Sequence, residues 1–168
     1  MRKISIVAFA ALGLLAAGIP ALGSSGEDPE GMITRAVSVI MDHSGDSKAA
    51  LVEILDASLL ILPKTDYAGE FRSRIESAKK ESRETSLFSD KSYKDLALAY
   101  RLVAAGEEFE FPDVVLKAAG EKAGIEKAVI YCQASIDSAL SELRAGRREC
   151  AARHLVEFVL IVITPIQR

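Results

Sequence analysis

The 168-residue sequence predicts an all-α protein, a helical bundle of about six helices. Apolar residues recur every three or four positions in almost every segment, which is the spacing of one helix face. The last third of the chain reads as a long amphipathic helix, a tight turn and a shorter apolar helix, so we expect a long C-terminal helical hairpin. Because the second and last helices are the richest in apolar residues, we expect them to form the inner core.

The N-terminus has the features of a secretory signal peptide. Arg2 and Lys3 provide a positive start, an apolar run continues to Ile19, and small residues precede position 24. The alternative is an uncleaved membrane anchor, which the small residues and the polar stretch after them argue against. We therefore expect a signal peptide at residues 1–23, a linker at 24–30 and a single helical bundle domain at 31–168. This division predicts a periplasmic or secreted protein.

The exported part of the chain is predicted to be acidic. The full chain contains 21 Lys and Arg residues and 24 Asp and Glu residues. Removal of the signal takes away Arg2 and Lys3, so 19 basic residues remain and the net charge becomes 19 − 24 = −5. Nucleic-acid binding depends on basic surface, so we expect no nucleic-acid partner.

Two helices open the bundle domain. Residues 32–42 carry apolar side chains on one face, and residues 47–62 are dense in Leu, Ile and Val up to Pro63. Asp46 is placed to cap the second helix, because its carboxylate can accept hydrogen bonds from the free N–H groups of the first turn.

A third helix is predicted over residues 67–83, with a narrow apolar stripe and a charged face. Glu70 stands four residues before Arg74, and Glu76 stands four residues before Lys80, which is the favoured order for an ion pair on a helix. We interpret this charged face as solvated.

A fourth helix is predicted from a cap at Asp90 to Ala105, and Gly106 ends it. The segment that follows contains Phe109 and Phe111. We expect these two aromatic rings to hold the crossover against the core.

The C-terminal hairpin begins with a helix predicted over residues 112–145. Its apolar positions stay in phase through Gly120 and Gly124, so we expect one continuous helix, with a break near Gly124 as the alternative. Gly146 then suits the left-handed conformation that commonly follows a helix end.

The last helix is predicted over residues 147–164. From Phe158 to Ile163 it is apolar on every side, which indicates a buried central helix. This run is far shorter than the roughly 20 residues that a spanning helix needs, so we expect no transmembrane segment after signal removal. A buried strand over residues 158–163 is the alternative, because the β-branched content is high.

The two ends of the long helix carry charges of opposite sign. Its start is acidic from Glu107 to Asp113, and its turn end is basic from Arg144 to Arg153. An unbroken helix would place these ends about 45 Å apart. Such charges suit the helix dipole, and they also suggest a contact surface for a partner or for head-to-tail association.

Common motifs of catalysis and cofactor binding are absent from the sequence. It has no Gly-rich phosphate loop, no Cys-x-x-Cys, no His-Glu-x-x-His and no Gly-x-Ser-x-Gly segment. The Cys-x-x-Cys-His motif of covalent haem attachment is also absent. We therefore expect a protein that is not an enzyme and that holds no cofactor.

The candidate metal ligands are His154, Glu157 and Glu53. His154 and Glu157 are three residues apart on the last helix and share a face, and Glu53 and Asp56 are spaced in the same way on the second helix. Metal sites in bundles use inward carboxylates and histidines, although their usual order is Glu-x-x-His and a second histidine in such a motif is lacking here. The competing interpretation is a His154–Glu157 hydrogen bond at the edge of the core.

Both cysteines are predicted to be free thiols. A hairpin that turns at Gly146 places Cys132 and Cys150 about ten residues apart along its axis, or roughly 15 Å. A disulfide requires Cα atoms within about 7 Å. Cys132 lies on the apolar stripe and is expected to be buried, whereas Cys150 lies near the turn and is expected to be accessible.

The sequence favours an exported, non-catalytic helical bundle that binds an unknown protein partner or serves envelope maintenance. The alternative is a small periplasmic bundle that binds a metal or an apolar ligand. A metal or a ligand that co-purifies with the protein would distinguish the second function from the first.

Overall fold

The computed structural model describes residues 28–42, 44–84, 88–110 and 122–164, and this part of the chain is all-α. Within these ranges there is no strand. The predicted helical bundle is therefore confirmed. The helices are α1 Pro29–Asp42, α2 Ser47–Ile61, α3 Ala68–Glu84, α4 Asp90–Val103, α5 Lys122–Arg144 and α6 Arg148–Ile163.

The central pair of the bundle is α2 and α6. α6 packs against α5, α2 and α4, while α2 packs against α1, α6 and α3. This arrangement confirms the predicted inner position of the second and last helices and the C-terminal hairpin of α5 and α6. The largest fully buried side chains are Phe71, Phe158, Ile33, Ile54, Leu55, Ile61, Ile75, Leu96, Leu155, Leu160, Ile161 and Ile163.

α6 is buried on almost its whole circumference because three helices surround it. Every residue from Phe158 to Ile161 is buried, and the backbone remains helical through Ile163. The strand considered for residues 158–163 is therefore wrong. A helix satisfies its own backbone hydrogen bonds, so this apolar run can enter the core without a neighbouring strand. None of the described helices has both the length and the hydropathy that a membrane crossing requires.

α1 begins earlier than its apolar pattern indicates. Pro29 is its first residue, and Asp28 accepts hydrogen bonds from the backbone N–H groups of Glu30 at 3.2 Å and Gly31 at 3.1 Å. Proline is favoured at the first helical position because its missing N–H needs no partner there. Pro29 and Glu30, assigned to the linker from the sequence, therefore lie in the helix.

Side-chain caps fix the starts of α2 and α4. Asp46 caps α2 as predicted, with Oδ1 accepting from the backbone N–H groups of Lys48 at 2.9 Å and Ala49 at 3.2 Å. The predicted cap at Asp90 is wrong, because Ser89 occupies that position with an extended backbone and accepts from the N–H of Ser92 at 3.1 Å. Asp90 is instead the first helical residue, where a negative charge suits the helix dipole.

Gly146 makes the tight turn between α5 and α6. Its φ of +75° lies in the left-handed region, as the sequence predicts. The N–H of Gly146 donates to the carbonyl of Leu143 at 3.0 Å, and that of Arg147 donates to the carbonyl of Glu142 at 2.9 Å. These two bonds form a Schellman motif, which reverses the chain within three residues.

α5 runs without a break through Gly124 to Arg144. The backbone is thus helical at Gly124 itself, while the choice between one continuous helix from residue 112 and a break near Gly124 depends on residues before Lys122 and stays a prediction. Residues 112–121, over which the same helix was predicted to begin, lie outside the described ranges, as does Phe111. Phe109 is described, and it packs against the core with an edge-to-face contact to Tyr100 at 5.4 Å between ring centroids.

The charged face of α3 is not fully solvated. Lys79 is buried, and its ammonium donates to Asp56 on α2 and to both carboxylate oxygens of Glu76 at 3.1 Å. The predicted pairing of Glu76 with Lys80 is therefore replaced by a pair with Lys79. A buried ammonium requires carboxylate partners, and Lys79 finds one of them on the neighbouring helix.

A second buried polar contact joins α3 to α4. Asp95 on α4 accepts from Arg74 at 3.2 Å and from the hydroxyl of Ser77 at 2.6 Å, both on α3. The hydrogen bond to Asp95, followed by that to Glu70, raises the pKa of Arg74. The predicted Glu70–Arg74 pair is confirmed at 3.4 Å.

Candidate functional site

Two of the predicted site residues meet on α6. His154 Nδ1 and Glu157 Oε2 are 3.0 Å apart, so the imidazole and the carboxylate share a hydrogen bond. Their side chains are only 18% and 26% exposed. The hydrogen bond at the edge of the core, considered from the sequence as the competing interpretation, is therefore present.

Glu53, the third predicted metal ligand, belongs to a different contact. Its carboxylate accepts a hydrogen bond at 3.0 Å from Arg35 on α1. Asp56, one turn further along α2, is paired with Lys79 on α3. Within the described ranges, no three His, Cys, Asp or Glu side chains converge in a way that could hold a metal ion. The structure thus brings together His154 and Glu157 but not Glu53.

α6 exposes one narrow strip of polar side chains, which we call the polar seam. It consists of Cys150, Arg153, His154 and Glu157, which are exposed or half-buried, while the rest of the helix from Ala151 to Ile161 is buried. Spacings of three and four residues place these side chains along one line of the helix surface. Between Cys150 and Ile161, the polar seam is therefore the part of the central helix that reaches solvent.

Tyr100 of α4 borders the polar seam. Burial raises the pKa of its hydroxyl, as do the negative charges of Glu157 and Glu107, whereas the guanidinium of Arg153 opposes the shift. Glu107 and Arg153 therefore lie near the same hydroxyl group. Phe109, two residues after Glu107, makes an edge-to-face contact with Tyr100. Asp113, at the end of the acidic stretch, lies outside the described ranges, so the predicted separation of the acidic and basic ends stays a prediction.

On its other side the polar seam is bordered by an ion pair of Glu142 with Arg147. The hydrogen bond from Arg147 lowers the pKa of Glu142, with smaller contributions from His154 and Arg153. The side-chain Nε of Arg153 is buried and has no hydrogen-bond partner. The polar seam thus contains one cation that its neighbours do not fully satisfy.

A shallow groove lies at the end of the bundle where α1 begins and α5 turns into α6. An ion pair between Glu30 and Arg144 crosses this end. The groove has a volume of about 250 Å³. It is lined by Asp28, Pro29, Glu30, Leu60, Ile61, Leu143, Arg144 and Arg148. Because its charges are of both signs and partly paired, the groove selects neither an anion nor a cation.

Among the α5 side chains that the structure describes, two large apolar ones are exposed. Ile130 is 65% exposed and its neighbour Tyr131 is 37% exposed. Both are off the apolar stripe of α5, whose buried members are Cys132, Ile136 and Ala139. Ala134, one turn after Ile130, is also exposed. These residues form a small apolar patch on the outside of the hairpin.

The two cysteines are free thiols, as predicted. Cys132 is buried in the core and Cys150 is exposed near the turn. Burial raises the pKa of the Cys132 thiol to about 12. The thiol of Cys132 therefore stays protonated at neutral pH, and Cys150 is the cysteine that solvent reaches.

Comparisons with protein-family models, with curated proteins and with solved structures find no match to this chain.

Cys150 was not predicted from the sequence to be a site residue. The signal was nevertheless present, because Cys150, His154 and Glu157 follow one another at spacings of four and three residues. The contacts of Tyr100 and Glu142 with this strip had no comparable signal, since they depend on how α4 and α5 pack against α6.

Proposed function

We propose that the protein is exported and acts as a non-catalytic helical bundle that binds a partner protein in the cell envelope. The N-terminal sequence supports export, since Arg2 and Lys3 precede an apolar run and small residues. The acidic balance of the mature chain fits a protein partner better than a nucleic acid.

Export has a direct test in the N-terminus of the mature protein. Cleavage after Gly23 is expected to leave Ser24 as the first residue in protein isolated from the periplasm or the medium. N-terminal sequencing, or the intact mass, measures this. A chain that still begins at Met1 and sediments with membranes would instead identify residues 4–19 as a retained anchor.

The observation that carries partner binding is the apolar patch of Ile130, Tyr131 and Ala134 on α5. Single exposed apolar side chains are common on protein surfaces. Here Ile130 and Tyr131 are adjacent and exposed, and helical spacing places Ala134 one turn from Ile130, so the three side chains can be covered by one partner surface. Aromatic residues are enriched in interface cores, and a few apolar anchors carry most of the binding energy. Because its side chain is exposed, Ile130 contributes little to the stability of the bundle itself.

The patch can be tested by a charge substitution with a matched control on the same helix. Ile130→Glu is expected to weaken binding of the partner recovered from the envelope by at least about tenfold, as loss of an interface anchor does. Ser141→Glu introduces the same charge at another exposed position of α5 and is expected to leave binding within about twofold.

The measurement is made in two steps. The partner is first identified by cross-linking the native protein in cells, and its affinity for each purified variant is then measured by titration. Circular dichroism establishes that both variants remain folded. Equal affinities of Ile130→Glu and the unchanged protein would refute the role of the patch.

A further inference from the structure

We propose that Cys150 and His154 together bind a divalent metal ion of borderline softness, such as Zn²⁺, with Glu157 orienting His154. This site goes beyond partner binding and does not depend on it. Of the three metal ligands that the sequence suggests, it keeps His154 as a ligand, gives Glu157 an indirect role and replaces Glu53 by Cys150.

Helix geometry places the two ligand atoms within reach of one ion. Cys150 and His154 are four residues apart on α6, and side chains at this spacing have Cβ atoms about 5–6 Å apart on the same face. Zinc binds a thiolate sulfur at about 2.3 Å and an imidazole nitrogen at about 2.0–2.1 Å. A single ion can therefore bridge these two side chains without a change in the backbone.

Glu157 orients the imidazole of His154 for metal binding. Its carboxylate is 3.0 Å from Nδ1, so a proton on Nδ1 is held in that hydrogen bond and the lone pair is left on Nε2. Histidines that bind metals usually donate their other N–H to a carboxylate in this way. The hydrogen bond also limits rotation of the ring, whose side chain is half-buried and so has few other orientations.

Electrostatic contacts place Cys150 and His154 beside the same ion pair. Glu142 raises the pKa of Arg147 through its hydrogen bond, and a thiolate at Cys150 adds to this shift. His154 in turn contributes to the lowered pKa of Glu142, whose main cause is the hydrogen bond from Arg147. Both proposed ligands thus act electrostatically on one ion pair, which agrees with their spacing on α6, and Cys150 is exposed to incoming ions.

Local charge favours a cation once the thiol is deprotonated. The groups near the site are Glu142, Glu149 and Glu157, which are acidic, and Arg147 and Arg153, which are basic. Three negative and two positive charges leave one negative charge, and the thiolate adds a second. A divalent ion balances both. The thiol proton is released to solvent when the metal binds.

Two protein ligands make an open site. Zinc is usually four-coordinate, so water fills the remaining positions. This composition agrees with the lack of any three-ligand cluster among the described residues. An open site of this kind binds more weakly than a closed structural zinc site, and its ion remains accessible to a ligand from solution.

The test is a titration of the full, reduced protein with Co²⁺, followed by competition with Zn²⁺ in the presence of a chromogenic indicator. A thiolate bound to Co²⁺ gives a charge-transfer absorption in the near ultraviolet. We expect this absorption at one ion per chain and its loss in Cys150→Ser. His154→Ala is expected to raise the zinc Kd at least tenfold, and Glu157→Gln is expected to raise it about 10- to 100-fold.

Two substitutions serve as controls. Cys132→Ala removes the buried thiol, and Glu53→Gln removes the carboxylate that is paired with Arg35; both are expected to leave the spectrum and the zinc Kd unchanged. Circular dichroism of each variant shows whether it is folded. The proposal is overturned if Co²⁺ gives no thiolate absorption, or if Cys150→Ser binds zinc as tightly as the unchanged protein.

Discussion

Leu155→Ala is expected to lower the free energy of unfolding by about 2–5 kcal/mol. Leu155 is fully buried near the middle of α6, which three other helices surround. Removal of the side-chain atoms beyond Cβ leaves a cavity in the core. The surrounding helices cannot easily close it, because each is held by further contacts. This loss is a large fraction of the free energy of unfolding of a typical domain, which is about 5–15 kcal/mol.

The matched control for this substitution is Leu98→Ala on α4. Leu98 is 41% exposed, so the same truncation there creates no enclosed cavity. Its expected effect on the free energy of unfolding is within about 0.5 kcal/mol. Urea unfolding followed by the helical signal in circular dichroism measures both values. Similar losses in the two variants would contradict the central position of α6.

Cys150 is expected to react with a thiol reagent at least about 100-fold faster than Cys132 under native conditions. The thiolate is the reactive form, and a pKa of about 12 leaves only about one Cys132 thiol in 10⁴ deprotonated at pH 8. Cys132 is also enclosed by the core, so the reagent reaches it only when the bundle opens. Cys150 meets solvent directly.

Single-cysteine variants allow the two rates to be measured separately. Cys132→Ala reports the reaction of Cys150, and Cys150→Ser reports that of Cys132, each followed with a chromogenic disulfide reagent. Added urea is expected to bring the two rates together, because unfolding exposes both thiols. A Cys132–Cys150 bridge in the oxidised monomer would refute this prediction and also the hairpin register on which it depends.

The raised pKa of Cys132 also predicts how stability depends on pH. Burial raises this pKa from 9.0 to about 12, so the folded protein favours the neutral thiol. The corresponding stabilisation is complete below about pH 9 and is lost as the pH rises toward 12, since the unfolded chain alone can ionise in that window. Cys132→Ala is expected to show a smaller loss of stability over the same range. An identical loss in that variant would assign the effect to other groups.

Part of the candidate site could be predicted from the sequence. His154 and Glu157 share a face because they are three residues apart on a helix, and their hydrogen bond follows from that spacing alone. Glu53 could not be placed in the same way. Its partner Arg35 lies on another helix, and only the packing of α1 against α2 decides that they meet.

The helical class, the approximate position of most described helices, the turn at Gly146 and the central place of α2 and α6 were determined by the sequence alone. These features depend on local spacing, on caps such as Asp46 and on the amount of apolar surface each helix must bury. Only the tertiary structure decided that Lys79 is buried against Asp56 and that Asp95 accepts a hydrogen bond from Arg74. Such contacts join residues that are distant in sequence, and their energies depend on which helix faces meet, which no local pattern specifies.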